Sequence, residues 1–216
     1  MQAPIFITGT GTDVGKTLVA AIVTEALEAD YWKPVQAGLT DGTDAEKIRS
    51  LLSNPFSVVH PEAYRLQTPA SPHIAARIDG VEIEPSQIVL QAEQILANMH
   101  RPLVIEGAGG LLVPLSAQHT VADLIKPLRA RVILVSRNYL GSINHSLLTA
   151  AWCRHNGIDV AGWIFNDDYL QYEDEIVSWS GYPSLGRIAR MESINAAQIR
   201  EQALRLKPVL SGTFGS

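Results

Sequence analysis

The stretch Ile5-Phe6-Ile7-Thr8-Gly9-Thr10-Gly11-Thr12-Asp13-Val14-Gly15-Lys16-Thr17 reads as a strand, a glycine-rich loop and the start of a helix. Ile5 to Ile7 form a short apolar run suited to a buried parallel strand, and Leu18 to Leu27 continue at helical spacing. The loop between them is built to wrap an anion. Glycines let backbone N–H groups turn inward on phosphate oxygens, and the helix behind points its positive end at them. Lys16 can reach the outer phosphates and the Thr17 hydroxyl can ligate Mg²⁺, which makes the stretch a P-loop by physical logic.

Its spacing is unusual. Five residues separate Gly9 from Gly15, one more than in the common form of the loop. Gly9, Gly11 and Gly15 also imitate a dinucleotide fingerprint, but one residue too many stands between the second and third glycines. Gly15-Lys16-Thr17 at a helix start favours a nucleoside triphosphate over a dinucleotide.

At 216 residues the chain is long enough to bury a large core as one domain, expected over residues 1–210 with a mobile tail at 211–216. Lys and Arg number 17 against 22 Asp and Glu, a net charge of −5, and no basic cluster resembles a nucleic-acid footprint. Cys153 is the single cysteine, so neither an intrachain disulfide framework nor a cysteine-based metal cluster is expected, and a cytoplasmic setting fits. Met1 leads into the first strand without a basic region and apolar leader. No apolar run approaches the roughly 18 residues of a membrane span, so no membrane partner is expected.

Downstream of the loop, Tyr31 to Gly38 read as a second strand stopped by Pro34, with Lys33 at its end. Ligands of open parallel sheets gather outside the carboxyl ends of the strands, so Lys33 and Lys16 could face one phosphate-bearing pocket. Thr43 or Asp44 can cap a short helix, and Asp44 is alternatively a Mg²⁺ ligand. The proline-rich segment 54–85 is expected to be a surface excursion with a short helix near Ile74 to Ile78; its Ser71-Pro72-His73 is a compact polar turn that could contact a ligand. Pro85 opens a further helix. Pro102 to Gly110 form an apolar strand ending in one carboxylate, Glu106, followed by glycines that would let backbone approach phosphate closely.

A short helix over Val121 to Leu128 precedes a buried strand, Val132 to Val135. Leu140 to His145 then lead into a helix from about Ser142 to Arg154, capped by Ser142 or Asn144, whose free N–H groups form a second anion site. The strand Val160 to Phe165 ends in Asn166-Asp167-Asp168. A helix at Tyr172 to Trp179, a strand near Leu185 to Ala189 and a helix from Asn195 to Leu206 complete the order. Alternating strands and helices predict an α/β fold, a mainly parallel sheet of about six or seven strands covered on both faces.

Gly9 to Thr17, Lys33 to Gly38, Ser71 to His73, Glu106 to Gly110 and Gly141 to His145 together resemble the dethiobiotin synthetase family of P-loop NTPases, in that family's order and with its own loop spacing. The resemblance implies a three-layer P-loop NTPase fold and a homodimeric, Mg²⁺-dependent ligase. Such a ligase closes a ureido ring on 7,8-diaminopelargonic acid with CO₂ and ATP. It also implies that Thr17, Asp44 and Glu106 hold Mg²⁺, and that Asp13, Val14, Gly15, Lys16, Thr17 and Leu18, with Glu106, Gly107, Ala108 and Gly109, surround the phosphates. Lys33 would be the catalytic lysine beside Lys16, and Thr12, Ala37 and Gly110 would border the substrate. Asn166 and Asp167 would meet the base, with Ala189, Arg190 and Met191 lining that end. Gly141, Ser142, Ile143 and Asn144 would hold the substrate carboxylate from the opposite subunit.

The chain departs from the family at Asp13, Ala37 and Ala189, where glutamate, serine and proline are frequent. Ala37 has no hydroxyl, so that contact is absent, replaced or made by backbone. Two other classes share parts of the pattern. A partitioning or regulatory ATPase would usually carry an extra lysine early in the loop, and none stands between Gly9 and Gly15. A cobyrinic-acid-type amide synthetase would usually bring a cysteine nucleophile, for which Cys153 in a helix is poor support.

Overall fold

The computed structural model describes residues 3–40, 42–191 and 193–215; Met1 and Ser216, on which the leader and tail expectations partly rest, lie outside them. In chain order the elements are β1 (Ile5–Gly9), α1 (Lys16–Leu27), β2 (Asp30–Trp32), β3 (Val35–Ala37), α2 (Asp44–Leu51), β4 (Tyr64–Leu66), α3 (Pro72–Asp79) and α4 (Pro85–Ala97). Then follow β5 (Leu103–Gly110), a 3-10 turn at Val121–Leu124, β6 (Arg131–Arg137), α5 (Ser142–His155), β7 (Val160–Asn166), α6 (Glu173–Ser180), β8 (Ser184–Ile188) and α7 (Ala196–Phe214).

Six strands form one parallel sheet in the order β2-β5-β1-β6-β7-β8. Alternate side chains of each strand enter two separate cores, as the two-residue period of a strand requires. Phe6, Trp32, Ile105, Leu134, Trp163 and Phe165 pack with α3, α4, α5 and α6. Ile5, Ile7, Val104, Ile133, Val135, Ile164 and Ile188 pack with α1, α2 and α7. The result is three layers. β1 lies between β5 and β6, and the chain leaves it first toward β2 and later toward β6, so the sheet changes its winding direction at the carboxyl end of β1. The glycine-rich loop emerges there.

Several local expectations change. Pro34 divides the stretch 31–38 rather than ending it: β2 stops at Trp32, and Val35–Ala37 leave the main sheet to pair with Tyr64–Leu66. A residue without an N–H and with fixed φ suits that crossing. β5 does not end at Glu106 but continues through Gly110, which pairs with Gly9. Its glycines serve close approach: a Cβ on Gly110 would lie 3.3 Å from the Cα of Gly11. The cap of α5 is Gly141 itself, because the Ser142 hydroxyl is buried against the Tyr172 hydroxyl at 2.7 Å. The last helix runs beyond Leu206 to Phe214, so 211–214 are helical rather than a loose tail. The Phe214 ring joins the core of α1 and α7, and the Arg131 guanidinium lies 5.5 Å from its centroid. Arg131 also donates to the Thr213 carbonyl at 2.6 Å.

Candidate active site

The loop's shape follows from two left-handed residues. Gly15 has φ 95°, and a Cβ there would come within 2.1 Å of the Asn166 amide nitrogen. Only glycine fits. Asp13 takes φ 57°, a region that aspartate tolerates better than most side chains. The helix α1 therefore starts at Lys16 with no side-chain cap, leaving its first N–H groups for a ligand. The Lys16 ammonium folds over the loop and donates to the Gly11 carbonyl at 2.8 Å. Thr17, in the first turn, donates its hydroxyl to Glu106 Oε1 at 2.8 Å.

Glu106 is the buried hub of the site, 1% exposed. Its Oε2 accepts from the Tyr31 hydroxyl at 2.8 Å, and its Oε1 lies 3.4 Å from the Lys33 ammonium. Lys33 also pairs closely with Asp44. The helix α2 is capped by Thr43, whose side chain accepts from the Glu46 N–H at 3.1 Å while Glu46 accepts from the Thr43 N–H at 2.8 Å. Capping is thus done by Thr43, and the Asp44 carboxylate is free to face Lys33. The Gln36 side chain fixes the approach by accepting from the Asp44 N–H at 3.2 Å.

The charges follow from this network. Burial alone would lower the Lys33 pKa, but Glu106 and Asp44 override it and hold the ammonium above its ordinary value. Burial would raise the Asp44 carboxyl, and Lys33 holds it below the usual range. Lys16 is lowered, first by burial, with the Lys33 charge adding to the effect and Glu106 opposing it. Tyr31 is raised well above its usual value by burial and by Glu106, so its hydroxyl remains a donor.

A cavity of about 740 Å³ opens over these groups. From the expected site it gathers Thr12, Asp13, Gly15, Lys16, Thr17 and Lys33, and also Ala37, Asp44, Glu106, Ala108 and Gly109. Val14, Gly107 and Gly110 are buried beneath it, and Leu18 packs toward α7 and the core. The donor set of one hydroxyl and two carboxylates is hard oxygen chemistry of the kind Mg²⁺ takes, and Lys33 already bridges both carboxylates with a positive charge. The residues fit that ion.

Asn166 and Asp167 lie on the other flank of the loop. Asn166 donates its amide to the Val14 carbonyl at 3.1 Å, and Asp167 pairs with Arg137 at 3.2 Å. Ala189 and Arg190 are exposed just beyond β8, with the half-buried Met191 against the core of α1 and α7. Gly141 to Asn144 stand at the start of α5, outside this cavity. Ser71 does line the cavity, and its hydroxyl lies 3.1 Å from His73 Nδ1. Gln36, Lys47 and Val113, which line the cavity, and Tyr31, which bonds Glu106, carry no mark of the site in the sequence. Tyr31 and Gln36 sit within strands as ordinary members of an apolar or short run, and only the fold turns them toward Glu106 and Asp44. Cys153 is fully buried and its thiol is pushed up to about 12 by burial, which makes it an inert core residue.

Known proteins resemble the chain over almost all of its length. The AAA domain family matches residues 3–198. The ATP-dependent dethiobiotin synthetase BioD of Cytophaga hutchinsonii is 49% identical over 93% of this chain and 95% of its own length. Its namesakes from Christiangramia forsetii and Rhodopseudomonas palustris are each 45% identical, over 96% and 93% of this chain and 97% and 92% of their own lengths. Among solved structures, the MinC:MinD cell division protein complex of Aquifex aeolicus aligns with TM-score 0.59 at 12% identity over 98% of this chain and 96% of that one. A ParA family ATPase from Chlorobium tepidum aligns with TM-score 0.55 at 16% identity over 100% of this chain and 93% of that one. These structures share the fold alone. Identity over nearly the whole length of the former group decides membership: the chain belongs to the ATP-dependent dethiobiotin synthetase family.

Proposed function

We infer that the chain is an ATP-dependent dethiobiotin synthetase of biotin biosynthesis, joining 7,8-diaminopelargonic acid and CO₂ into a ureido ring. The observation that supports this most is one buried cluster, Lys16, Lys33, Thr17, Asp44 and Glu106, gathered around a loop shaped for phosphates.

In the chemistry we propose, one amine of the substrate attacks CO₂ to form a carbamate, releasing a proton. A carbamate oxygen then attacks the γ-phosphorus of ATP, and ADP leaves. The second amine attacks the carbon of the resulting mixed anhydride, and phosphate departs as the ring closes. Lys33, kept cationic by its two carboxylates, stabilises the carbamate and the charge that spreads over the transferring phosphoryl group. Lys16 reaches the same oxygens from the loop. Glu106 and Asp44 hold Lys33 in place; the Tyr31 hydroxyl holds the Glu106 carboxylate, and the Gln36 side chain holds the Asp44 backbone N–H. Mg²⁺, bound by Thr17, Asp44 and Glu106, would neutralise phosphate charge. Little covalent work falls to the protein; positioning two amines and one phosphoryl group is its main task.

The site is completed, on this reading, in a homodimer. The first N–H groups of α5 carry no side-chain cap and lie outside the cavity of their own chain. They suit the substrate carboxylate in the site of a second copy. A cytoplasmic location fits an enzyme of small-molecule biosynthesis. Among the described residues, no helix is long and apolar enough to cross a membrane.

Expression in a bacterium deleted for its own dethiobiotin synthetase tests the function in the cell. Growth without biotin should return with the wild-type chain and not with Lys33→Ala. Failure of the folded wild-type chain to restore growth, where added dethiobiotin does restore it, would contradict the assignment.

A further inference from the structure

Arg137 is a charged group near the loop that the proposed chemistry leaves without work. It is the register neighbour of Asn166 in the sheet, so both side chains leave the same face. That face is the α1 side: Val135 and Ile164, two residues before each, pack into the core of α1 and α7. Asn166 shows where it leads, since its amide reaches the Val14 carbonyl and lies against Gly15. The phosphate-handling groups, Lys33, Asp44 and Glu106, all lie on the β5 and β2 side of β1. A triphosphate on the loop must turn its terminal phosphate toward them. Its nucleoside therefore leaves on the opposite side, toward Arg137 and Asn166.

The polar atoms left over at that end form a pattern. A carbonyl can only accept, so the Asn166 nitrogen faces Val14, and Oδ1 remains as an acceptor. The Asp167 carboxylate is occupied on both oxygens, by the Asp168 N–H at 2.8 Å and by Arg137 Nε at 3.2 Å. The terminal nitrogens of Arg137 make no other hydrogen bond among the described residues. The two residues are register neighbours, Asn166 offering an acceptor and Arg137 donors tethered by one carboxylate. Adenine and cytosine offer the complement, an exocyclic amino donor next to a ring-nitrogen acceptor, whereas guanine and uracil set an oxo acceptor against Asn166 Oδ1.

We propose that Arg137, held by Asp167 beside Asn166, is a base-reading residue that makes this site take amino-bearing nucleotides, ATP and CTP, in preference to the oxo-bearing GTP and UTP. The inference rests on the ligase reading for its cosubstrate but concerns only nucleotide choice. The Arg137 side chain is 50% exposed and its ion pair contributes little to stability, so its replacement leaves the fold intact.

The test compares ATP, CTP, GTP and UTP in ring formation from the diamine, with Mg²⁺ and bicarbonate, for the wild type, Arg137→Ala and Arg137→Lys. The wild type should prefer the amino-bearing pair by about tenfold or more in kcat/KM. Arg137→Ala should lower kcat/KM about tenfold for ATP and CTP, through KM, because the base is remote from the reacting phosphorus. GTP and UTP should change by no more than about twofold, since they lack the complementary edge. Arg137→Lys should keep part of the preference. An equal fall with all four nucleotides, an unchanged ATP to GTP ratio, or a wild type without preference would overturn the proposal. If the wild type makes no ring product with any nucleotide, the ligase reading fails instead. Calorimetric titration of the four Mg-nucleotides into both proteins then reads the same ratio directly.

Discussion

At the scale of single residues, the site is a problem in charge placement. Lys33 sits 7% exposed between two carboxylates, so its replacement acts twice. Lys33→Ala should reduce kcat by about 10²-fold or more by removing a cation aimed at the developing charge. It should also lower stability by about 3 kcal/mol, because Asp44 and Glu106 are left facing each other without a partner. Added Mg²⁺ should then raise the melting temperature of the variant more than that of the wild type; an equal rise would remove the two carboxylates from ion binding. Glu106→Gln, which keeps the shape but halves the acid pair, should shift the Mg²⁺ titration of activity to higher concentration. An unchanged titration would leave Glu106 as a structural anchor for Tyr31 and Thr17 alone. Such roles were partly legible in the sequence. Gly15-Lys16-Thr17 carries its mechanism in its spacing, and Lys33 and Glu106 each follow directly on an apolar run. What joined them was not: Tyr31 looks like an ordinary strand residue until the register of β2 on β5 turns it toward Glu106, and Gln36 until β3 brings its side chain to the Asp44 N–H.

At the scale of elements, the decisive unit is the strand, loop and helix that open the chain. Gly15→Ala would force a Cβ into left-handed backbone, about 1 to 3 kcal/mol of strain, and against the Asn166 amide. Nucleotide affinity measured by calorimetry should fall with it, and full affinity in a folded variant would show that the loop tolerates another shape. The opposite end of α1 is anchored by Glu25, which accepts from the Ser53 N–H at 3.0 Å, from the Asn54 N–H at 3.3 Å, from the Asn54 side chain at 2.8 Å and from the Ser53 hydroxyl. Burial alone would raise its pKa, yet these donors hold it below the usual value. A folded-state pKa below the unfolded one means stability that is present above about pH 4.3 and lost as pH falls through the folded value. Glu25→Gln should therefore be less stable than the wild type at neutral pH. The gap between them should close in acid, and a gap independent of pH would contradict the linkage.

Element boundaries show why sequence reading stops where it does. The alternation of strands and helices was legible because each strand carries its apolar run. The continuation of β5 through four glycine and alanine positions was not, since only the neighbouring loop makes that strand pair and press against Gly11. α7 extends to Phe214 through an interior proline because a ring in the core and the Arg131 contacts hold its last turn. Local propensity could not announce either feature.

For the whole molecule, the sheet order sets Lys33, Asp44 and Glu106 on one side of β1 and Arg137 and Asn166 on the other, while the first turn of α5, without a side-chain cap, stands outside its own chain's cavity. If two copies share each site, Lys33→Ala and Asn144→Asp damage different halves of it. Asn144 is exposed in the first turn of α5, where a carboxylate suits the helix but repels a substrate carboxylate. Each variant alone should be weak, and a mixture allowed to exchange subunits should regain activity in hybrid dimers. A mixture no better than its parts would place the whole site in one chain.

The measurement that tests the central claim most directly is the rate of phosphate release from Mg-ATP with bicarbonate, with and without 7,8-diaminopelargonic acid, alongside mass analysis of the organic product. Release should depend on the diamine and match the ureido product one for one. Slow release indifferent to the diamine, without ring product, would contradict the ligase and leave a nucleotide-hydrolysing switch on the same fold.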